Sequence, residues 1–585
     1  MASTSIPSEQ SIAQMDEEQL PVPQHKLHGW GHFFGLYGAE HVAATEFVFG
    51  ATFVALGVGL WDVLVGLLIG NTLAILSYTL ITARIAVDTR LSLYTYLDRI
   101  AGGSTSRLYN GANVLIFAVI SAAMITVSAT AVTAQLELPP QVEPYPTNIW
   151  FVLTVVAVAV IVVLVAVYGF TALTEFASIC APWLMVMFTT GGMVLVPALA
   201  EAVTGYTTPS LSDFMQIASS TVFTGINAQG EPGIGIWEVI GFAWAANTFT
   251  HFGLIDMALF RYAKKKIYGL ASSAGMMFGH YVAWISAGLM GAAVAALTKT
   301  SILLLDPGKI AWYALAASGF VVVIVAGWTT ANSNLYRAGL AAQAVFPQVS
   351  RTKVTLLVGL GVVLASCFPF VYQSMLPLLT YSGLLLVPIG GIVFAEHYVF
   401  RWLGYTRYWY RYKGLTHNVP AIATWAISLV FGFGLNVINI MPYFYLFLPT
   451  WFVSIILYVV LGKMYGAAEK YPEEEEAERR FQERVAEYQA KQAARESHPH
   501  VKDTSLLTKI IKAVWIVIGI IVPFVLAWIT LFHSADLYDY YVNVERFYSI
   551  TIWCTVIYFI FSYWDLQRSK AHHQAQAPAV VQAAE

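Results

Sequence analysis

The chain has 585 residues, of which 58% are hydrophobic and only 11% charged, against about 25% charged in an ordinary soluble domain. So much apolar side chain cannot be covered by so little polar surface in water, which excludes a soluble enzyme and makes lipid the solvent. A net charge of −3 lacks the basic excess of a nucleic-acid binder, and Cys180, Cys367 and Cys554 stand far apart in apolar runs, with neither disulfide-framework nor metal-ligand spacing.

Residues 1–30 are polar and acidic, without the cationic start and apolar core of a signal peptide, and are expected to form a disordered cytosolic tail. A helix needs about 20 largely apolar residues to cross a bilayer. Runs of that kind recur through a core of residues 31–463 and predict twelve helices, near 33–59, 61–87, 109–136, 147–168, 171–199, 235–260, 268–297, 310–343, 354–372, 376–400, 418–440 and 443–462. Residues 464–506 follow, with acids placed ahead of bases at helical spacing, as in a solvated cytosolic helix or linker. Residues 507–566 hold two more apolar spans, near 509–533 and 547–564, which read as an appended two-helix hairpin before a cytosolic tail of 567–585. With both termini cytosolic and about fourteen crossings, all 31 Lys and Arg fall inside except Lys299, Lys309 and Arg546. The expected location is the plasma (cell inner) membrane, multi-pass. Oligomeric state is not legible.

Ionisable and amide side chains cost on the order of 2–3 kcal/mol each in a membrane span, so each asks for a partner or a purpose. They concentrate in two spans. The first reads HFFGLYGAEHVAATEFVFG, with Gly35, Gly38 and Gly50 and with Glu40, His41, Thr45 and Glu46 along its middle. The sixth reads IGFAWAANTFTHFGLID, with Trp244, Asn247, Thr248, Thr250 and His251 ahead of Gly253 and Asp256. These spans occupy corresponding positions if helices 1–5 and 6–10 are halves of opposite orientation, and paired interrupted helices point to a midplane substrate site. Glu40, Asn247 and His251 are candidates for it. The eighth span adds AGWTTANSNLYRAGLAAQAVFP: Thr329 and Thr330 are hard oxygen donors suited to an alkali cation, and Asn332 and Asn334 could pair with a heterocyclic amide edge. Phe117 and Ser121 share a face of the third span. His280 reads as an interior histidine, with a proton relay as the alternative.

On HGWGHFFGLYGAEH, on Leu60-Trp61-Asp62-Val63-Leu64-Val65-Gly66, on Trp328-Thr329-Thr330-x-Asn332-x-Asn334-Leu335-Tyr336, and on Arg261-Tyr262 followed by Gly275 and Phe278-Gly279, the chain resembles the nucleobase:cation symporter-1 family, the purine/cytosine, uracil, allantoin and hydantoin permeases. The resemblance covers residues 29–463. It implies an all-α integral membrane protein with a leucine-transporter-like five-plus-five inverted repeat and two further core helices, to which the C-terminal hairpin is an addition. It also implies a sodium site from Thr329 and Thr330 with backbone oxygens near Gly38 and His41, a substrate amide from Asn334 or Asn332, and stacking aromatics Trp244 and Phe117. The expected function is cation-coupled uptake of a nucleobase or related small heterocycle by alternating access, without catalysis or cofactor. Glu40, His41, Glu46 and His251 leave H+ open beside Na+. The alternatives are an amino-acid or organocation permease of the same fold, or a membrane sensor using residues 464–506.

Overall fold

A computed structural model describes residues 12, 15, 19–139, 141, 143–167, 170–207, 210–496 and 503–584. Among them it contains helices and isolated bridges but no strand, as hydrocarbon demands of a chain that must satisfy its own backbone. Helix α1 is broken into α1a (Trp30–His41) and α1b (Glu46–Ala55). There follow α2 (Leu60–Thr89), α3 (Leu93–Gln135), α4 (Ile149–Ala166) and α5 (Phe170–Val194). Helix α6 is broken into α6a (Ile236–Ala245) and α6b (Met257–Phe260), and leads to α7 (Lys266–Thr298), α8 (Ala317–Val345), α9 (Arg351–Ser366) and α10 (Met375–Leu403). The core ends with α11 (Val419–Val437) and α12 (Tyr443–Tyr465). Beyond it lie the charged α13 (Pro472–Glu496) and the hairpin α14 (Leu506–Phe532) and α15 (Leu537–Ala584). Ten of the described helices are long and apolar enough to cross a membrane. The fourteen-crossing reading adds the broken α1 and α6, the polar α8 and the short α9.

Several boundaries differ from the expected ones. Residues 19–29, expected as disordered, are held to the bundle: Val22 N donates to Arg90 O (2.9 Å), His28 N donates to Tyr262 O (2.7 Å), and Leu20 packs on Val485 of α13. Apolar Leu20 and Val22 are what the acidic composition of the segment concealed. Residues 1–11 lie outside the described residues. The span expected at 310–343 begins as a separate helix, Pro307–Leu315, because Ala316 adopts φ +47° between it and α8. The last span starts ten residues early and continues as helix through the expected tail to Ala584.

Both breaks are built on close backbone approach. Helix α1 loses helical form over residues 42–45, and there Gly279 of α7 backs onto it: a Cβ at Gly279 would stand 2.1 Å from the His41 carbonyl oxygen. Helix α6 is interrupted between Ala246 and Asp256, where the single turn Thr248–His251 is helical and Leu254 stands at φ +62°. There Gly390 of α10 takes the equivalent role, since its Cβ would fall 1.4 Å from Phe252 O. Only glycine allows such contact. Around the breaks, α3 and α8 share the most extensive interface, α1a leans on α5, α1b on α7 and α6a on α2. The hairpin packs against α5, through Trp183 Nε1 donating to Thr555 Oγ1 (3.2 Å), Tyr558 OH donating to Ile179 O (2.6 Å) and the Lys570–Glu175 ion pair (2.7 Å).

Replacing Gly279 or Gly390 by leucine is expected to cost at least the 1–3 kcal/mol typical of overpacking, read as a lowered thermal midpoint or lost monodispersity in detergent. Gly361→Ala, whose Cβ meets nothing within 4 Å, serves as the neutral control.

Candidate functional site

Helix α8 runs past the break in α1 and supplies what the broken backbone lacks. Thr329 Oγ1 donates to Ala39 O (2.9 Å) and Thr330 Oγ1 donates to Glu40 O (2.7 Å), and both threonines are buried. Two hydroxyl and two carbonyl oxygens therefore converge. The carbonyls are not the ones expected: Gly38 O accepts from Val42 N (3.1 Å) to close the helix, and His41 O is turned onto Gly279. Hard uncharged oxygens of this kind suit an alkali cation. To admit one, the hydroxyls would have to turn their lone pairs inward and release the carbonyls they now hold.

Two turns further along α8, a charged centre appears that the sequence reading did not assemble. The Arg337 guanidinium hydrogen-bonds both carboxylate oxygens of Glu40, Nη2 reaching Oε2 at 3.1 Å, and Nη2 also donates to Asp256 Oδ1 (2.6 Å). Arg337 is fully buried, with Asp256 1% and Glu40 8% exposed. Its Cζ lies 5.7 Å from the centre of the Phe117 ring. The positive-inside count treated Arg337 as one of the solvated cytosolic charges; the structure buries it as a cation joining α1a, α8 and the start of α6b. Its signal was an arginine inside an otherwise apolar helical run with two spare carboxylates elsewhere in the spans.

A third polar chain links the two breaks to α7. The His41 ring lies between Tyr37 O (3.0 Å) and Asn247 Oδ1 (3.1 Å), so both of its nitrogens face acceptors. Asn247 Nδ2 donates to His280 Nδ1 (2.9 Å), whose ring stacks on Trp284 (4.5 Å between centres), and Trp284 Nε1 donates to the Glu46 carboxylate. His280 thus belongs to the network.

The remaining candidates divide. Phe117 and Ser121 face α8, the latter donating to Ala331 O (3.2 Å), and Asn334 Nδ2 donates to Thr330 O (2.8 Å). These join Thr329, Thr330, Glu40 and Arg337 in one neighbourhood. Asn332, two residues from both Thr330 and Asn334 and so about 200° around the helix from each, turns to α4 and away from the break: with its amide oriented to satisfy both ends it donates to Val162 O (3.0 Å) and accepts from Trp328 Nε1 (2.6 Å). Trp244 also departs from expectation. Its ring meets Phe252 and Phe447 (5.3 Å to the latter) and its Nε1 donates to Ser77 Oγ (3.3 Å), so it seals α6a against α2 and α12 and does not stack beside Phe117. His251 lies 4.9 Å from the Tyr78 ring, its carbonyl accepts from Thr82 Oγ1, and its Nδ1 has no hydrogen-bond partner among the described residues.

The architecture is that of a leucine-transporter-like inverted-repeat membrane protein, with α1–α5 and α6–α10 as halves that each open on a broken helix. Among solved structures it is similar to Mhp1, described as a nucleobase-cation-symport-1 family transporter, in a closed conformation with bromovinylhydantoin bound (TM-score 0.60, 17% identity, 81% of this chain and 99% of that chain). It is similar to the inward-facing conformation of Mhp1 (0.57, 17%, 81% and 97%) and to a substrate-bound outward-open Na+-coupled sialic acid symporter (0.52, 13%, 77% and 91%). No family model and no curated protein sequence matches the chain.

Removing Arg337 would leave two buried carboxylates uncompensated, which costs roughly 3–5 kcal/mol. Arg337→Met is expected to lower the thermal midpoint sharply, and adding Glu40→Gln and Asp256→Asn to recover most of the loss. A triple variant no more stable than the single one would show that the centre is not a charge-balance unit.

Proposed function

We propose that the protein is a secondary-active transporter that couples entry of a cation to uptake of a small planar heterocycle, most simply a nucleobase, by alternating access. The observation that carries the reading is the convergence of the Thr329 and Thr330 hydroxyls on the Ala39 and Glu40 carbonyls at the break of α1. A cation held there would lock α8 to α1a, and its loss would free α1a to tilt. The fold shared with Mhp1 and the sialic acid symporter supports the same class. In this reading the substrate lies between α1, α3, α6 and α8, with the Phe117 ring against its face and Asn334 offering its amide oxygen to a ring N–H, since its Nδ2 is engaged on Thr330 O. Asn332 and Trp244 are withdrawn from the site. Glu40 and Asn247 act by holding the breaks, and no catalytic step is involved.

A proton-coupled version has its own support. Glu40, Asp256 and Arg337 set two carboxyl groups against one guanidinium, and the His41 ring, between Tyr37 O and Asn247 Oδ1, adds a titratable group at the same break. Uptake into proteoliposomes under separate Na+ and pH gradients decides between the ions. With Na+, Thr329→Ala combined with Thr330→Ala abolishes the sodium dependence of binding while leaving sodium-free affinity largely intact; unchanged sodium stimulation removes the assignment. Asn334→Leu is expected to weaken base binding by about 1–3 kcal/mol, roughly ten- to a hundredfold, measured against several bases and one linear amino acid. Unaltered base binding would remove the heterocycle.

The proposed topology places both termini and α13 in the cytosol of a cell whose plasma membrane the chain spans fourteen times. A cysteine introduced as Ala490→Cys should resist impermeant thiol reagents in intact cells and react after permeabilisation; strong labelling from outside overturns the orientation.

A further inference from the structure

Between α3, α8, α9, α10 and α11 the bundle leaves an open groove of about 800 Å3, lined almost wholly by apolar side chains such as Leu108, Leu115, Phe346, Leu357 and Trp425. Several of these are the most exposed large apolar residues of their helices, Leu115 at 69% and Leu357 at 67%. Gly111 sits in its floor, and a Cβ there would meet nothing within 4 Å. The groove faces outward, away from the broken helices. Its one charged lining residue, Arg107, stands at the end of α3 nearer the Gly102 kink, which the topology above places on the cytosolic side.

Arg107 also lines a second cavity, of about 480 Å3, whose wall includes Asp98, Arg99, Ser106, Tyr410 and Arg411. Glu478 of α13 lies 3.6 Å from Arg99 and 3.7 Å from Arg411, while Arg107 has no hydrogen bond or ion pair among the described residues. Among the described residues, three guanidinium groups thus share two carboxylates, Asp98 and Glu478, which leaves one positive charge over where an apolar groove runs into a polar cavity.

We infer that this junction binds an anionic phospholipid, its acyl chains in the groove and its phosphate on Arg107. Basic pockets between helices at the cytosolic leaflet select acidic headgroups in this manner, because the leaflet is itself anionic and a single cation near the surface contributes about 1 kcal/mol. A zwitterionic lipid would fill the same groove without neutralising the surplus charge. A second copy of the chain would bury the leucines but leave Arg107 unbalanced.

The test is lipid retention by the full-length protein in detergent, read by native mass spectrometry after titration with phosphatidylglycerol or phosphatidylethanolamine of identical chains. The wild-type protein is expected to retain phosphatidylglycerol about fivefold better. Arg107→Gln should abolish that preference, Arg107→Lys should keep it, and Gly111→Trp, which fills open space, should lower retention of both lipids while the thermal midpoint is unchanged. Equal retention of the two lipids by the wild-type protein, or an undiminished preference in Arg107→Gln, overturns the proposal. So does a Gly111→Trp protein that changes its oligomeric state and not its lipid content, since the groove would then be an interface between copies.

Discussion

One arginine sets the geometry on which the rest depends. A buried guanidinium is tolerated only when its charge is answered, and Arg337 meets that condition by drawing on two helices at once: Glu40 from α1a and Asp256 at the start of α6b. Neither carboxylate could stay buried and ionised without it. The positions of both inner half-helices are thereby referred to one point on α8. The threonines that meet the α1 break are seven and eight residues away on the same helix, about 10–12 Å at 1.5 Å per residue. A rigid α8 thus carries both the charge lock and the proposed cation contacts, and its long interface with α3 keeps it from yielding.

Broken helices are costly in hydrocarbon because each break frees carbonyls that water cannot reach. The protein answers with hydroxyls from elsewhere. Ala39 O and Glu40 O are met by the α8 threonines, Gly253 O by the Tyr109 hydroxyl (2.9 Å) and His251 O by Thr82. Side chains that rotate about one bond can withdraw as readily as they engage, so the donors that make the breaks tolerable are also the parts most able to release them.

The two broken spans were legible because polar residues in hydrocarbon are rare and these two spans hold them in tight clusters, Glu40, His41 and Glu46 in one and Asn247, His251 and Asp256 in the other. Thr329 and Thr330 were legible for the same reason. What the sequence could not convey was direction. Asn332 and Asn334 differ by two residues and hence by about 200° around a helix, so one amide reaches the interior and the other is spent on Val162 and Trp328. Trp244 has the chemistry of a stacking aromatic, but Ser77 and Phe447 claim it. Arg337 was visible as a residue and hidden as an interaction, because partners 297 and 81 positions away are joined only by the fold. The expectation of backbone oxygens near Gly38 and His41 falls on the stretch where Ala39 O and Glu40 O meet the threonines, because a sequence locates the end of a helix only to a residue or two.

The hairpin α14–α15 is hydrogen-bonded and ion-paired to α5 at three levels, from Lys570 near one end through Tyr558 and Trp183 to Tyr540, which donates to Val194 O (3.2 Å) at the other. Helix α5 in turn touches α1a where Gly35 abuts Ser178 and Gly38 abuts Met185. A displacement of α5 therefore drags two lipid-bathed helices sideways, and the surrounding acyl chains become part of the moving load. Membrane viscosity and lateral pressure then enter the kinetics of an element that in a bare twelve-helix bundle would swing against lipid alone.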